Sequence, residues 1–304
     1  MHLACRNAAK KDYETAINLK IMMQNYFKIA WRTIWKNKVY SFINMSGLAI
    51  GMAVAILIGL WVIDELDHNK NFENYDQLGQ IIQNQTFNGK VETSAAISMP
   101  TGLALRSDYD YFESVGLTSW EYEHIIRVDD NKLVSVGSFA EKEVVDMLTP
   151  ELIDGSFQGF EKVNSIIISD KLANSLFGTT KAAGKIIKYD SISDFEVVAV
   201  FKAFPISSDF HDTEHFVPFA YYTASQRWLQ DAATQWGNNS FLCYVKLKDG
   251  ISFDKAESGT KNLILDNLPD QYKNWDSELM IHPMSSWHLN SEFEEGVNTG
   301  GRIR

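Results

Sequence analysis

One short segment of the sequence has the residue types of a metal site. It reads HDTEH at residues 211–215, and two histidines four residues apart can share a zinc ion on one face of a helix. Pro205 precedes the segment and Pro218 follows it, so its surroundings favour a loop or a strand. In a strand the two histidines would be about 13 Å apart, too far for one ion. We therefore predict a solvated loop here and no metal site.

Motifs for covalent or nucleotide chemistry are absent from the sequence. It contains no Gly-x-Gly-x-x-Gly run, no P-loop and no Gly-x-Ser-x-Gly elbow. Cys243 lies in the apolar run at residues 241–247, where a packed core residue is a simpler interpretation than a nucleophile. We predict no catalytic residue, no cofactor and no enzymatic activity, and hence no ATP hydrolysis by the chain itself.

A long uncharged stretch dominates the chain. Residues 39–63 form 25 consecutive positions without Asp, Glu, Lys, Arg or His. A helix of this length reaches about 37 Å, and the hydrocarbon core of a bilayer is about 30 Å thick. The alternative, a buried helix of a soluble protein, is disfavoured because such runs are rare in soluble cores. We predict an uncleaved transmembrane helix.

Charge is divided unevenly around this stretch. Residues 1–38 hold eight basic and two acidic residues, a net +6, whereas residues 39–304 hold 20 basic and 37 acidic residues, a net −17. Lys and Arg are retained on the cytoplasmic side, so the N-terminus should be inside and the rest outside. The acidic outer part argues against nucleic acid as a partner. Cys5 and Cys243 would lie on opposite sides of the membrane and cannot pair.

Small residues recur along the stretch at every fourth position: Gly47, Gly51, Ala55 and Gly59. Such a ridge lets two helices approach closely in lipid, where packing drives association. We predict that the ridge packs against another helix of the assembly or against a second copy.

The segment before the stretch has a different pattern. Within residues 23–38, aromatic side chains occupy one helical face and basic side chains another, with Phe27, Trp31, Arg32, Trp35 and Lys36 as the defining residues. This pattern is typical of an amphipathic helix at the cytoplasmic membrane interface, in contact with lipid. Residues 1–22 show no such period and are interpreted as an N-terminal extension whose true start codon is uncertain.

The remaining part, residues 64–298, alternates predicted strands and helices. Ser169 or Asp170 can cap a helix at residues 171–177 that Gly178 ends. One amphipathic helix is predicted over residues 253–265 and a final strand over residues 279–282. Further strands are predicted at residues 81–87, 115–128, 132–137, 165–169, 184–187, 195–200 and 241–247, and a short helix at residues 101–107.

Four stretches together resemble the permease subunits of MacB/FtsX-type ABC transporters. They are FKIAWRTIWKNKVYSFINMSGLAIGMA from residue 27, IIISDKLANSLFG from residue 166, FEVVAVFKAFPISSDF from residue 195, and HPMSSWHLNSEFEEGVNTGGRIR from residue 282. The resemblance covers about residues 23–304.

The resemblance implies an α+β fold. An interfacial helix and one transmembrane helix precede a two-lobed, MacB-like periplasmic core domain. One β-α-β lobe is expected at about residues 79–138 and 240–285, and a mixed lobe inserted at about residues 139–239. Such permeases have four spans and this chain has one, so the chain resembles a fragment that stops before the second span.

The resemblance also implies a function. The permease would sit in the bacterial inner membrane and couple ATP hydrolysis by a cytoplasmic ATP-binding subunit to export or to force transmission across the envelope. A second permease copy, membrane lipid and a periplasmic protein are the further implied partners. The alternative is a membrane-anchored extracytoplasmic sensor or binding module.

Topology provides the first test. A cysteine at Asn69 should react with an impermeant maleimide in intact spheroplasts, because Lys and Arg are concentrated just before the span and keep that side in the cytoplasm. A cysteine at Asn37 is the matched control and should stay unlabelled until the membrane is opened. The opposite labelling pattern would reverse the orientation.

Overall fold

The computed structural model describes residues 22–301, which divide after Ile63 into two units. In the first unit, residues 22–36 form helix α1 and the chain continues into helix α2, Lys38–Leu66. Within the described residues, α2 is the one helix that is long and apolar enough to cross a membrane, and none of its side chains is buried. An apolar helix therefore covers the predicted residues 39–63, and its position across a membrane stays a prediction. The N-terminal extension lies outside the described residues, apart from Met22 at its end.

The α1 segment has the aromatic face that its sequence predicts. The rings of Phe27, Trp31 and Trp35 follow one another with centroids 6.4 Å apart at each step. The Lys38 ammonium group lies 5.0 Å from the Trp35 ring. Spacing of four residues therefore produces a continuous aromatic stripe beside basic side chains.

The second unit is built on a mixed sheet. Its strands are β1 (Leu78–Phe87), β2 (Lys90–Ser94), β3 (Ile97–Ser98), β4 (Phe112–Thr118), β5 (Tyr122–Val128), β6 (Asn131–Ala140), β7 (Leu152–Gly155), β8 (Ser165–Ser169), β9 (Ile186–Tyr189), β10 (Ser193–Phe201), β11 (His215–Pro218), β12 (Asn239–Leu247) and β13 (Glu278–Pro283). A hairpin of β14 (Glu292–Glu294) and β15 (Val297–Gly300) follows. The helices between them are α3 (Met99–Asp108), α4 (Lys142–Leu148), α5 (Asp170–Phe177), α6 (Phe219–Ser225), α7 (Arg227–Ala232), α8 (Phe253–Thr260), α9 (Leu263–Asn267) and α10 (Met284–Trp287), with short 3₁₀ turns at Phe157–Glu161 and Asp270–Trp275. The α+β class is confirmed.

The strand order gives the sheet two halves. One half runs β4-β12-β1-β13, with β2 and β3 attached, and all its pairs are antiparallel. The other half contains β6, β5, β9, β10, β8 and β11, and it closes into a ring because β11 also pairs with β6. A single registered pair, Thr118 with Ala140, joins β4 to β6. The expected two-lobe division remains a proposal, and the pairing groups β5 and β6 with strands of the expected inserted lobe.

Local sequence signals explain helix α5. The Ser169 hydroxyl accepts a hydrogen bond from the Leu172 backbone N–H, as expected of an N-cap. Gly178 ends the helix with φ of 68°, a left-handed conformation that glycine adopts without steric cost. The predicted cap, helix and stop are all present.

The prediction of one helix over residues 253–265 is wrong. The chain forms α8 and α9 instead, because the Lys261 carbonyl accepts a hydrogen bond from the Leu279 backbone N–H rather than continuing the helix. The prediction that residues 279–282 form the final strand is also wrong. The β14–β15 hairpin follows, with Glu295 and Gly296 both at positive φ as a tight turn requires.

Asn69 is a poor reporter of topology. Its side chain is fully buried, and its amide donates to the Asp209 carboxylate. The exposed Asn71 is the better position for the labelling experiment described above.

The ring of strands supplies a stability prediction. Gly137 in β6 lies opposite His215 of β11, and a Cβ at Gly137 would collide with the carbonyl oxygen and ring of His215. Gly137→Ala should lower the free energy of unfolding by roughly 2 kcal/mol, because overpacking forces a backbone shift. Thermal unfolding of the detergent-solubilised chain measures the change.

Val134→Ala is the matched control on the same strand. Val134 is 62% exposed, so its truncation should change stability by less than about 0.5 kcal/mol. Equal melting of the Gly137→Ala variant and the parent protein would contradict the β6–β11 pairing.

Candidate binding cleft

A cleft of about 520 Å³ opens on one face of the sheet near the junction of its two halves. Its aromatic lining consists of Trp120, Phe210, Phe216, Tyr244, Trp287 and Phe293, and its ionisable groups are Glu121, Asp209 and His282. Sites for small ligands have this size and this mixture of apolar walls with a few polar groups. The cleft is therefore the best candidate for recognition in the described part of the chain.

Strand register places the floor of the cleft. Gln80 of β1 lies opposite Tyr244 of β12 on one side and His282 of β13 on the other. Since side chains in register project from the same face of a sheet, these three form a row. Ile82 and Leu242 lie two residues along their strands and extend the same face.

An aromatic wall stands beside this row. The Trp287 ring packs against Tyr244 at 5.7 Å and Phe210 at 6.3 Å between centroids. Its indole N–H donates to the His282 carbonyl oxygen at 2.8 Å, and the Phe293 ring meets the His282 ring edge-on at 5.4 Å. These contacts fix the position of the Trp287 side chain, because they hold both its apolar ring and its polar N–H group.

Burial shifts the pKa values of three groups in the cleft, Glu121, His282 and Tyr244, in the direction that favours the neutral form. Burial raises the pKa of Glu121, although the hydrogen bond from the Thr213 hydroxyl opposes this effect. Burial lowers the pKa of His282 and raises the pKa of the Tyr244 phenol. The cleft therefore combines aromatic rings with a few polar groups, which suits the binding of an amphiphilic or aromatic ligand.

The structure separates the two histidines that the sequence pattern singled out. His211 lies in a turn, with Nδ1 2.9 Å from the Ser208 carbonyl oxygen. His215 lies in β11 and is fully buried, with Nδ1 2.9 Å from the Ser135 hydroxyl and Nε2 3.3 Å from the Tyr189 hydroxyl. The prediction of a solvated loop is therefore wrong for His215. Cys243 is fully buried, as predicted, and burial raises the pKa of its thiol.

A different cluster was missed by sequence reasoning. His68, Asp209 and His288 bring their potential ligand atoms within 4.8 Å of one another. The three residues are remote in sequence and share no spacing motif, so only the folded chain reveals them.

The predicted helix-packing ridge is open. A Cβ added at Gly47, Gly51 or Gly59 would meet no described atom within 4 Å. Ala55 lies on the same unburied helix. The ridge has room for a partner helix, and its use stays a prediction.

This architecture defines a class of protein: an α+β domain on a mixed sheet, preceded by an apolar helix able to cross a membrane. Residues 41–263 match the profile of the MacB-like periplasmic core domain, more than half of the chain, and the protein belongs to this family. The family is that of ABC transporter permeases, which work with an ATP-binding partner.

Three solved structures are similar to this chain, and the first of them shares its fold. A domain of a permease protein from Porphyromonas gingivalis is similar with a TM-score of 0.58 and 18% identity, over 70% of this chain and 91% of that one. The extracellular domain of the noncanonical ABC-type transporter YknZ from Gram-positive bacteria has a TM-score of 0.48 and 18% identity, over 67% and 98%. The periplasmic region of MacB from Actinobacillus actinomycetemcomitans has a TM-score of 0.49 and 14% identity, over 69% and 92%. A comparison with curated proteins finds no significant match.

His215 supplies a pH prediction. Burial lowers the pKa of His215 from 6.5 to about 3. Below about pH 6.5, His215 is therefore protonated in the unfolded chain but still neutral in the folded chain. As the pH drops further, the free energy of unfolding falls by about 1.4 kcal/mol per pH unit for this group. Denaturant unfolding between pH 7.5 and 5.5 should show this loss.

His215→Gln should flatten the slope, whatever its effect on stability at pH 7.5. Burial lowers the pKa of His282 as well, so part of the slope should persist. Glu121 and Glu257 have pKa values raised by burial, and they act in the opposite sense only nearer their own titration range. An unchanged slope in His215→Gln would contradict the assignment.

Proposed function

We propose that this chain is part of a permease that couples ATP hydrolysis by a cytoplasmic subunit to movement of its outer domain. That movement exports a substrate or transmits force to an envelope partner. The observation that carries the proposal is the family match at residues 41–263, which begins inside the apolar helix and continues past β12 to the start of α9.

The proposed movement takes place between the two halves of the sheet. The β4–β6 junction has one registered pair, whereas β5 and β6 share seven and β1 and β13 share six. Because each backbone hydrogen bond resists opening, the junction is the easiest place for the sheet to flex. The cleft has lining residues from both halves, including Ser138 of β6 and Tyr244 of β12, so flexing there would change its shape.

The first unit has an anchoring role in the proposal. The aromatic and basic side chains of α1 hold the cytoplasmic interface of the inner membrane, in contact with lipid. The Gly47, Gly51, Ala55 and Gly59 ridge packs α2 against another helix of the assembly or against a second permease copy in a homodimer. The outer domain lies in the periplasm, where the cleft meets its ligand or protein partner.

A sensor or binding module is the second candidate, and the cleft favours it because its volume suits a small ligand. The two candidates differ in their cytoplasmic partner. A permease contacts an ATP-binding subunit there, whereas a sensor contacts a signalling domain.

Site-specific photo-crosslinking in membranes separates them. A photoreactive residue in place of Lys36, which is exposed on α1, should capture an ATP-binding subunit identified by mass spectrometry. The same residue in place of Ile192, which is 79% exposed in the second unit, is the matched control and should not capture it. A signalling protein at position 36, with no ATP-binding subunit, would replace the permease proposal with the sensor.

A further inference from the structure

A group of imidazoles and carboxylates lies apart from the floor of the cleft. His68 precedes β1, Asp209 lies between β10 and β11, and His288 directly follows α10. The two imidazole rings are parallel within 8°, with centroids 3.6 Å apart. The folded chain thus stacks two potential metal ligands from opposite ends of the domain.

Two carboxylates face these rings. Asp209 Oδ1 lies 3.4 Å from His68 Nε2, and Glu65 Oε2 lies 2.5 Å from His288 Nε2. Ligands of a tetrahedral zinc ion lie about 3.3 Å apart when each bond is about 2.0 Å long. The three ligand atoms of His68, Asp209 and His288 are already within 4.8 Å of one another. The two stacked rings would tilt on binding, because a metal ion lies in the plane of each imidazole that holds it.

Neighbouring groups position Asp209 for this role. The Asn69 amide donates to Asp209 Oδ2 at 2.5 Å, and the Asp209 backbone N–H donates to Asn69 Oδ1 at 2.9 Å. The Asn69 backbone N–H also donates to the Ser207 carbonyl at 2.8 Å. These bonds tie one carboxylate oxygen down and leave Oδ1 toward His68, which is how outer hydrogen bonds orient metal ligands.

The geometry points to a zinc-binding site formed by His68, Asp209 and His288, with Glu65 as the fourth ligand. Two imidazole nitrogens with carboxylate oxygens suit Zn²⁺ and other late first-row ions better than Ca²⁺ or Mg²⁺, which prefer all-oxygen sets. The Glu65 carboxylate would turn from His288 to the ion.

Such an ion would connect distant parts of the domain. Asp209 lies in the loop between β10 and β11 of the ring, and this loop is already hydrogen-bonded to Asn69, the neighbour of His68. His288 instead follows β13, at the edge of the other half. A bound ion would therefore latch the two halves of the sheet together. The site does not depend on the transport proposed above.

Metal binding to the full chain in detergent tests the site. The chain carries no polyhistidine tag, is freed of metal with a chelator, and is titrated with ZnCl₂ at pH 7.5 by calorimetry. We expect one tight equivalent, a higher melting temperature with Zn²⁺, and visible absorption bands of four-coordinate Co²⁺ when CoCl₂ replaces ZnCl₂.

Three variants locate the ion. The double variant His68→Gln/His288→Gln should lose the Co²⁺ bands and weaken Zn²⁺ binding at least tenfold. Asn69→Gly keeps the positive φ of 62° that Asn69 adopts but removes its amide, and should weaken binding about tenfold. His211 lines one surface depression together with His68, Asp209 and His288 but is not a proposed ligand, so His211→Gln should bind Zn²⁺ like the parent protein.

Two outcomes would overturn the site. The first is the absence of Zn²⁺ binding by the parent protein, which would leave the cluster as imidazole–carboxylate ion pairs only. The second is that Asn69→Gly binds Zn²⁺ as tightly as the parent protein while the double variant gives no support for the site. The double variant gives none if it also binds like the parent protein or if it fails to fold. Metal-free melting curves of every variant identify a failure to fold.

Discussion

Strand β1 carries amide side chains into a position covered on both faces of the sheet. Gln83 is fully buried, and Asn84 and Gln85 nearly so. Their amides donate to the Ala96 carbonyl, the Gly296 carbonyl and the Ser277 hydroxyl, respectively. An unmet buried donor costs about 1–3 kcal/mol, so β1 can lie between β12 and β13 only while these partners are in place. The partners come from both ends of the domain, which makes the sheet depend on late parts of the chain.

Local chemistry was predictable from the sequence, and remote pairing was not. Ser169 and Gly178 bound a helix through contacts within a few residues, so their types alone indicated it. The division between α8 and α9 instead depends on Leu279, because its backbone N–H donates a hydrogen bond to the Lys261 carbonyl oxygen. No pattern within residues 253–265 contains that information. The burial of His215 has the same origin, since its strand is enclosed by β6 and β8.

The cleft illustrates the same limit at the level of function. Gln80, Tyr244 and His282 each lie in a segment that the sequence indicated as a strand or its border. Their adjacency follows from register between strands far apart in sequence, which no spacing rule encodes. The membrane segment is the opposite case. Its function depends on hydrophobic length and local charge, and both are visible in the sequence.

The two halves of the sheet constrain how the domain can transmit movement. Displacing β1 relative to β13 would break six registered pairs and leave the buried amides of β1 without their partners. The half of the sheet that contains β1 and β13 should therefore move as one body. The ring of strands in the other half is also rigid, because β11 pairs with both β6 and β8 and so closes it. The proposed motion would therefore concentrate at the junction of Thr118 and Ala140, where a single registered strand pair joins the halves. Asp209 lies in the β10–β11 loop of the ring and His288 follows β13 of the other half, so a metal ion bound by both would oppose that motion directly.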